Sequence, residues 1–342
     1  MNVAVNRPKK YSVLEELVRI GEMKLAIWPA ARFLPRFMSA GIVNALTFVL
    51  LLLPSTGLRT YWQTRYLFGY SRRHSLRLTF ERLRLHLFSY LMTLRIIFDR
   101  EHPRMWRVTH INRENLDKVI ASDRSFIIAT AHFNRFVLHS TNSQANLPAH
   151  GVHIAVPLRE HRGVIRSLFA RADGMRLAER LHNMRLAMFF AAFHDSAPHD
   201  TSDPPSICYV GKGRGAAVEI LKFLKQPGNA IFNNVDAPWK RRGPGAYERP
   251  FAGYGNKLFS TGTARLAEKT GCPILPLVYW YNTETHSHVL EWGTPVFEVD
   301  DPERVMDALI DRVEIAIGKR PGQYSLDIGN LRHWNPDTER WE

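Results

Sequence analysis

Apolar positions along the chain recur with two different periods, and the change falls near Glu101. Before that residue the apolar side chains return at helical spacing, and after it short apolar runs of strand type alternate with amphipathic runs of helix type. Strands that alternate with helices are typical of an α/β domain. The pattern therefore predicts a mixed, mostly parallel sheet flanked by helices over residues 101–342, preceded by a hydrophobic helical region over residues 1–100.

The α/β part has clear candidate elements. Strands are predicted over residues 107–111, 126–130, 153–156, 230–235, 274–281 and 288–292, and helices are predicted to begin near Arg113, Phe133, Gly163, Arg214, Thr263 and Pro302. The last helix is the clearest, because its apolar residues follow at four-residue steps and Asp301 with Pro302 forms a typical helix start. Residues 195–206 and 237–256 are rich in Pro, Gly or charge, which predicts surface loops.

The N-terminal region combines an apolar segment with basic neighbours. Within residues 23–54 the densest apolar run, 42–53, has twelve residues, fewer than the roughly 20 that a comfortable membrane span needs. With Lys24, Arg32, Arg36 and Arg59 nearby, this segment suits a helix seated on an anionic bilayer surface. The alternative is a buried core helix. We expect residues 1–100 to form a basic, hydrophobic, membrane-associating region.

Residues 59–100 are strongly basic and carry aromatic residues between the arginines. A stripe of apolar residues predicts one buried helix face, formed by Leu83, Leu87, Tyr90, Leu91 and Leu94. Most of the arginines are then expected on the outer face. Basic charge with interleaved aromatic residues is also found on nucleic-acid surfaces, and a solvated helix face is the plainer alternative. No helix-turn-helix, zinc-finger or RNA-recognition signature accompanies the stretch, which argues against nucleic acid as a partner.

Composition adds a preference for anionic partners. Lys plus Arg is 46 against 32 for Asp plus Glu, a formal net charge of +14, which favours nucleic acid, an acidic membrane surface or an acidic carrier protein. The two cysteines, Cys208 and Cys272, cannot form a disulfide framework or a cysteine-rich zinc site, and they fit a reducing, cytoplasmic setting. The histidines are scattered, so no metal site is expected, and no dinucleotide fingerprint follows the first strand.

The candidate chemistry begins at His132. An apolar run of strand type ends just before this residue, and a pattern of helix type follows it. His132 should therefore lie at the carboxyl end of a buried strand, where ligands usually bind in open α/β sheets. The alternative is a histidine that only caps or packs at the turn.

Further motifs follow in a fixed order along the chain. They are Ala131-His132-Phe133, Gly213-Arg214-Gly215, Asn234-Val235-Asp236, Pro250-Phe251-Ala252-Gly253, the run from Ser260 to Ala267, and Cys272-Pro273-Ile274-Leu275-Pro276. In this order, over about residues 35–334, they resemble the bacterial lipid A biosynthesis (lauroyl and myristoyl) acyltransferases of the lysophospholipid acyltransferase superfamily. The hydrophobic basic N-terminus and the closing helix, followed by Pro321-Gly322-Gln323-Tyr324 and Trp334, are also similar to that family.

This resemblance implies a glycerolipid acyltransferase-like fold and an enzyme on the cytoplasmic face of the bacterial inner membrane, held peripherally or by a single anchor. Its donor would be a thioester, acyl carrier protein or acyl-CoA, with no bound cofactor, and its acceptor a lipid hydroxyl. In such enzymes the histidine of a His-x4-acid motif is the general base and the acid orients it. A base that titrates near neutrality and a carboxylate that selects its tautomer suit removal of a hydroxyl proton.

The sequence departs from the family pattern at the acid. Val137 occupies that position, and no carboxylate occurs between Arg124 and Gln144. Another acid from elsewhere in the fold, a binding role without catalysis, or an amine acceptor that needs less help from a base would each account for the change. Asp236 is the leading substitute acid, because it follows another apolar strand and should lie near His132.

Other polar residues have candidate roles around His132. Asn134 or His139 is an alternative partner that would orient His132. Arg159, Lys212 and Arg214 are candidates to bind phosphate groups of a lipid head or carrier group, although a solvated basic loop is equally compatible. Ser260, Thr261 and Gly262 are expected at a helix start whose free N–H groups face an oxyanion or phosphate, with simple capping as the alternative.

Two functions remain open at this point. The first is an acyltransferase that moves an acyl group to a hydroxyl or amine of a lipid or lipid-like acceptor, with His132 as general base. The second is a catalytically inactive protein of the same fold that binds anionic lipid, carrier protein or nucleic acid. Thioester turnover distinguishes the two.

Overall fold

The computed structural model describes residues 17, 20–52, 57–67, 70–97, 107–133, 151–152, 214–236, 245–252, 254–282, 284–324, 334–335, 338 and 340–341. The helices are α1 (Trp28–Phe33), α2 (Arg36–Leu52), α3 (Gly57–Leu67), α4 (Arg72–Ile97), α5 (Arg113–Ile120), α6 (Arg214–Leu224), α7 (Gly262–Thr270) and α8 (Pro302–Lys319). A π-helical turn, Glu22–Ile27, precedes α1, and a 3-10 turn, Pro321–Gln323, follows α8.

The described strands form one central sheet and two small ones. They are β1 (Val108–Ile111), β2 (Phe126–Thr130), β3 (Gly151–Val152), β4 (Ala230–Asn234), β5 (Ala246–Phe251), β6 (Tyr254–Ser260), β7 (Ile274–Asn282), β8 (Ser287–Trp292), β9 (Trp334–Asn335) and β10 (Arg340–Trp341). The central sheet has the order β1-β8-β7-β2-β4-β3. Every described pair in it is parallel except β7 with β8, which confirms the predicted mixed, mostly parallel sheet flanked by helices.

Strand β2 lies in the middle of the core. All five of its residues are buried, because β4 and β7 pair with it on either side and helices cover the sheet. A strand buried on both faces needs an apolar run rather than an alternating one, and residues 126–129 supply that run. The apolar run explains why β2 lies where the sequence predicts it. Pairing with β4 and β7 fixes the position of its carboxyl end.

Residues 246–260 correct one expectation. The sequence predicted a surface loop over residues 237–256, but β5 and β6 form an antiparallel hairpin in the described part of this stretch. Tyr247, Phe251 and Phe259 are buried and pack on one another. Alternating apolar residues define this hairpin, whereas the neighbouring Gly, Pro and charged residues suggested irregular backbone.

Helix α4 joins the N-terminal region to the rest of the chain. Its predicted apolar side is confirmed for Leu83, Leu87, Leu91 and Leu94, which are buried in one cluster with residues of α1 and α2. The prediction that most arginines face outward holds for Arg72, Arg73 and Arg77, which are exposed.

Three arginines of α4 depart from that prediction. Arg95 is buried and donates to the carbonyl oxygen of Leu34 at 2.8 Å, and Arg84 donates to Asn44 Oδ1 at 2.8 Å. Arg82 donates to the carbonyl oxygen of Tyr324 at 2.7 Å. These guanidinium groups donate hydrogen bonds to carbonyl and amide oxygens of other segments. They therefore hold segments of the chain together in addition to contributing positive charge.

The N-terminal helices expose apolar side chains as well as burying them. Val43 and Leu50 of α2 are buried, whereas Phe37 of the same helix is 77% exposed and Leu52 is 82% exposed. Among the described residues, none of the helices combines the length and apolar character needed to cross a membrane.

Several predictions lie outside the described residues. These are the strand at 153–156, most of the helices predicted to begin at Phe133 and Gly163, the loop at 195–206, Cys208, and the larger part of residues 1–22. The division of the chain near residue 100 also falls in such a stretch, so it stays a prediction.

Candidate active site

The candidate site lies where two neighbouring parallel strands end. Strands β2 and β4 pair in parallel register from Phe126 with Ala230 to Thr130 with Asn234. The backbone N–H of Val235 continues this ladder to the carbonyl oxygen of Thr130 at 2.8 Å. His132 follows Thr130 by two residues and Asp236 follows Asn234 by two residues, so both lie at the carboxyl ends of these neighbouring strands.

His132 and Asp236 form a direct pair although they are 104 residues apart in the chain. Nδ1 of His132 lies 2.7 Å from Oδ1 of Asp236, and the backbone N–H of His132 donates to Oδ2 at 3.0 Å. An ionised carboxylate can only accept hydrogen bonds, so Nδ1 carries a proton and the other ring nitrogen, Nε2, carries the lone pair of the neutral imidazole. Two contacts therefore fix both the place and the tautomer of the ring.

Burial differs sharply within this pair. The Asp236 side chain has no exposed surface, whereas the His132 side chain keeps 13% of its surface exposed. A buried carboxylate is costly unless it is paired and hydrogen-bonded. The arrangement therefore hides the acid and leaves part of the base reachable, as a general base acting on a bound acceptor requires.

Two further polar side chains complete the site. The hydroxyl of Tyr324 donates to Oδ2 of Asp236 at 2.8 Å. Nδ2 of Asn234 lies 3.4 Å from Nε2 of His132, next to the atom that would take up a proton. Burial, followed by the charge of Asp236 and the hydrogen bond to it, raises the pKa of Tyr324 well above its ordinary value, so its hydroxyl stays protonated and keeps donating.

Aromatic residues support the turn that carries His132. The hydroxyl of Tyr279 donates to the carbonyl oxygen of Ala131 at 3.2 Å. The ring of Phe133 packs edge-on against Tyr279 and Tyr324, with ring centroids 6.3 and 5.6 Å away. The residues on both sides of His132 are thus anchored, so the imidazole is presented from a rigid turn.

Ser260, Thr261 and Gly262 lie at the start of α7, as predicted, but two of their N–H groups are already used. The N–H of Thr261 donates to the carbonyl oxygen of Gly245 at 2.7 Å, and the N–H of Gly262 donates to Ser260 Oγ at 3.0 Å. The side chain of Thr261 makes no capping bond and donates to Gly245 as well. The expectation of free N–H groups at these two positions is therefore wrong, because the carbonyl oxygen of Gly245, just before β5, accepts one and the side chain of Ser260 accepts the other.

Helix α7 nevertheless begins close to this sheet edge. Thr263 Oγ1 accepts a hydrogen bond from Nδ2 of Asn233 at 2.7 Å, and Asn233 precedes Asn234 at the end of β4. The candidate binding roles of Ser260, Thr261 and Gly262 stay predictions on this placement.

The remaining predicted site residues are not tested by these contacts. Asn134, Val137, His139, Arg159 and Lys212 lie outside the described residues, and Arg214 is described only through the backbone of α6, which it begins. No cluster of three metal-ligating side chains occurs in the part of the chain that the structure describes.

The sequence reasoning gave Tyr324 and Asn234 no role in the site. Both residues stood within motifs that carried the family resemblance, and that was their only signal. Nothing in their local pattern indicates a contact with Asp236 or His132, since both contacts join distant segments.

Together the fold and site define an α/β protein whose buried carboxylate orients a partly exposed histidine at the carboxyl edge of a mostly parallel sheet. The family model of the bacterial lipid A biosynthesis acyltransferases matches residues 224–326. This match confirms the resemblance to that family over the matched residues. It contains Asp236 and Tyr324 but not His132, and it supports acyltransferase activity in general. No curated protein matches the chain.

Proposed function

We propose that the protein moves an acyl group from a thioester donor to a hydroxyl or amine of a lipid or lipid-like acceptor, with His132 as general base and Asp236 as the acid that orients it. The observation that carries this proposal is the 2.7 Å contact between His132 Nδ1 and Asp236 Oδ1, formed by a fully buried carboxylate and a partly exposed imidazole. The family match supports the reaction class.

The proposed reaction is a direct transfer. Nε2 of His132 takes the proton of the acceptor while the acceptor oxygen or nitrogen attacks the thioester carbonyl carbon. The new acyl bond forms, the carbon–sulfur bond breaks, and the thiolate leaves with the proton that His132 had taken. Asp236 stabilises the imidazolium during this transfer. No covalent acyl-enzyme and no bound cofactor is needed.

Asp236 offers a physical answer to the missing motif acid at Val137. A carboxylate four residues after a histidine can reach the ring across one helical turn, but the requirement is only that it contacts Nδ1. Asp236 meets that requirement from β4, and its second oxygen also accepts the backbone N–H of His132 at 3.0 Å. Asp236 would thus supply the contact to Nδ1 that Val137 cannot make.

The donor and the location are further parts of the proposal. A net charge of +14 favours an acidic acyl carrier protein or the phosphates of acyl-CoA as donor, and an anionic membrane lipid as neighbour. We place the protein at the cytoplasmic face of the bacterial inner membrane, with a glycerolipid acyltransferase-like fold. Arg32 and Arg36 beside the exposed apolar side chains of α1 and α2 support membrane seating.

Thiol release tests this function directly. Wild type is given a panel of acyl carrier protein and acyl-CoA donors with lipid hydroxyl and amine acceptors, and is compared with His132→Ala and Asp236→Asn. We expect turnover in the wild type and a loss of about 10²–10⁴-fold in kcat for His132→Ala, as for removal of a general base. Asp236→Asn should fall in the same range because it removes the charge that stabilises the imidazolium.

The matched controls are His74→Ala and Asp300→Asn, which change an exposed histidine and an exposed carboxylate. Both should retain wild-type turnover. A His132→Ala variant as active as the wild type would remove the catalytic role. A wild type that consumes no donor but binds anionic lipid would favour the inactive binding protein instead.

A further inference from the structure

Tyr324 touches the acid of the proposed pair rather than the base. Its hydroxyl donates to Asp236 Oδ2 at 2.8 Å, and both groups are buried. That oxygen also accepts the backbone N–H of His132, while the other oxygen pairs with the imidazole. The carboxylate thus receives hydrogen bonds from three sides, and its plane is fixed by groups on two separate chain segments.

The segment that carries Tyr324 is itself tightly held. The side-chain amide of Gln323 accepts the N–H of Tyr281 at 2.9 Å and donates to the carbonyl oxygen of the same residue at 2.7 Å. The side-chain amide of Gln323 therefore makes to Tyr281, near the end of β7, the same two kinds of hydrogen bond that the backbone of a neighbouring strand would make. On the other side, Arg82 of α4 donates to the carbonyl oxygen of Tyr324 at 2.7 Å.

The chemistry of the hydroxyl suits a permanent donor. Burial raises the pKa of Tyr324 well above its ordinary value, and the charge of Asp236 acts in the same direction. The hydroxyl therefore does not lose its proton when the site works near neutral pH. Among the described residues its hydrogen bond goes to Asp236 and not to the imidazole, so we expect its effect on the reaction to pass through Asp236.

We infer that Tyr324 is a positioning residue that holds Asp236 in the orientation in which its Oδ1 pairs with His132 Nδ1. This inference rests on the proposed function for its effect on turnover, but the positioning itself is independent of that function. Without the hydroxyl, Asp236 would keep its two contacts to His132 but would lose the one hydrogen bond that, among the described residues, it accepts from outside the His132 turn.

The test is Tyr324→Phe, which removes one oxygen atom from a buried ring. We expect kcat to fall about 10–100-fold, the range for one hydrogen bond to a charged group, with the KM for donor and acceptor unchanged. In an Asp236→Asn background the same substitution should cause no further loss of kcat, because residues that act as one unit are not additive. If the role of Tyr324 were purely structural, Tyr324→Phe would lower kcat by the same factor in the wild-type background and in the Asp236→Asn background.

A second measurement does not need turnover. In the full chain labelled with ¹⁵N-histidine, the Nδ1–H resonance of His132 is assigned by its absence from His132→Ala. We expect it to shift or broaden in Tyr324→Phe. The matched control is Tyr247→Phe, since Tyr247 is a buried tyrosine whose hydroxyl has no hydrogen-bond partner in the described structure; it should change neither kcat nor the resonance.

The outcomes separate this inference from the proposed function. If the wild type has no turnover but the resonance moves in Tyr324→Phe, the function fails and the positioning role stands. If kcat and the resonance are both unchanged, or if only KM rises, the positioning role is overturned.

If Tyr324→Phe does not fold, Arg82→Met provides a second variant. A loss of kcat in Arg82→Met that vanishes in the Asp236→Asn background supports the inference, and an additive loss overturns it.

Discussion

At the scale of single residues, the position of a carboxylate in space matters more than its position in the chain. Val137 removes the acid from the family motif, yet Asp236 reaches the imidazole from 104 residues away. The pairing needs only that β2 and β4 are neighbours and end at the same edge, which their parallel register ensures. A motif search centred on His132 alone would therefore classify this site as incomplete.

A buried histidine elsewhere in the sheet has a consequence for stability rather than for chemistry. His288 is 2% exposed and packs beside the ring of Tyr281, with centroids 5.2 Å apart. Burial, with a further contribution from the charge of Arg36, lowers the pKa of His288 from 6.5 to about 3. The folded protein therefore keeps this imidazole neutral at a pH where the unfolded chain protonates it.

We predict an acid-dependent loss of stability from His288. Between pH 6.5 and about 3 the unfolded state binds a proton that the folded state does not, so the free energy of unfolding falls as pH falls, by at most about 1.4 kcal/mol per pH unit. Above that window the residue contributes no pH dependence. Urea unfolding of wild type and His288→Gln from pH 8 to 5 should show a smaller slope in the variant.

The comparison at pH 8 serves as the internal reference for this prediction, because His288 is neutral there in both states. A slope in His288→Gln equal to that of the wild type would contradict the buried neutral imidazole. A uniform offset between the two curves would reflect only the altered packing at Tyr281.

At the scale of elements, the final helix shows how local signals succeed. Asp301 was predicted as a helix start, and its Oδ1 accepts the N–H of Glu303 at 2.9 Å and of Arg304 at 3.3 Å. The apolar residues at four-residue steps, from Val305 to Ile317, are buried as predicted. Capping and periodicity both depend on residues within one or two turns, so the sequence displays them directly.

We expect Asp301→Ala to lower the free energy of unfolding by about 1 kcal/mol, the usual cost of losing such a cap. The turnover of the remaining folded protein should be unchanged, because the other end of α8, and not its start, leads to Tyr324. Asp300→Ala is the matched control, since Asp300 is an exposed neighbour that makes no cap. Equal stability of the two variants would show that the cap contributes nothing.

The hairpin of β5 and β6 shows the opposite case. Its first strand contains Pro250 and charged residues, which favour an irregular loop in a local reading. Its stability comes from Tyr247, Phe251 and Phe259, which are buried in the same core as the central sheet. The residues of that core are far apart in the sequence, so no short stretch of the chain indicates the hairpin. The hairpin depends on tertiary packing.

At the scale of the whole molecule, the N-terminal helices take part in the architecture of the site. Helix α4 buries its apolar side against α2, and its Arg82 binds the segment that carries Tyr324. The opposite side of the helical layer exposes apolar residues. Phe37, Phe48 and Leu52 lie within about 60° of one another around α2 at roughly 100° per residue, which makes one apolar surface.

We predict that this apolar surface binds membranes. Vesicles with anionic phospholipid should retain the wild type in co-sedimentation and release it as salt rises, because the attraction combines apolar insertion with screened charge. A Phe37→Ser/Leu52→Ser variant should bind at least tenfold more weakly, since about 0.8 kcal/mol is lost per buried CH₂ removed from the bilayer.

The matched control is Phe297→Ser, which changes an exposed phenylalanine outside the N-terminal helices. It should bind as the wild type does. Equal binding of all three proteins, or equal binding to neutral vesicles, would contradict a membrane surface on α2 and leave its exposed residues for another partner.

Local patterns in the chain were enough to predict the class of fold, the strands at 126–130, 230–234 and 287–292 to within a residue, the buried side of α4, the cap of α8 and His132 as the candidate centre of the site. All of these depend on residues close together in the chain. The sequence also supplied Asp236 as a candidate acid, through a strand end and a family motif.

Which groups meet became apparent from the folded structure and not from the chain. The fold brought Asp236 against His132, added Tyr324 and Asn234, used the N–H groups of Thr261 and Gly262 elsewhere, and turned part of an expected loop into a hairpin. Periodicity reports whether a side chain is buried, but a hydrogen bond also needs a partner at a fixed distance and angle. Strand order and register set that distance here, and they join segments whose separation along the chain carries no local signal.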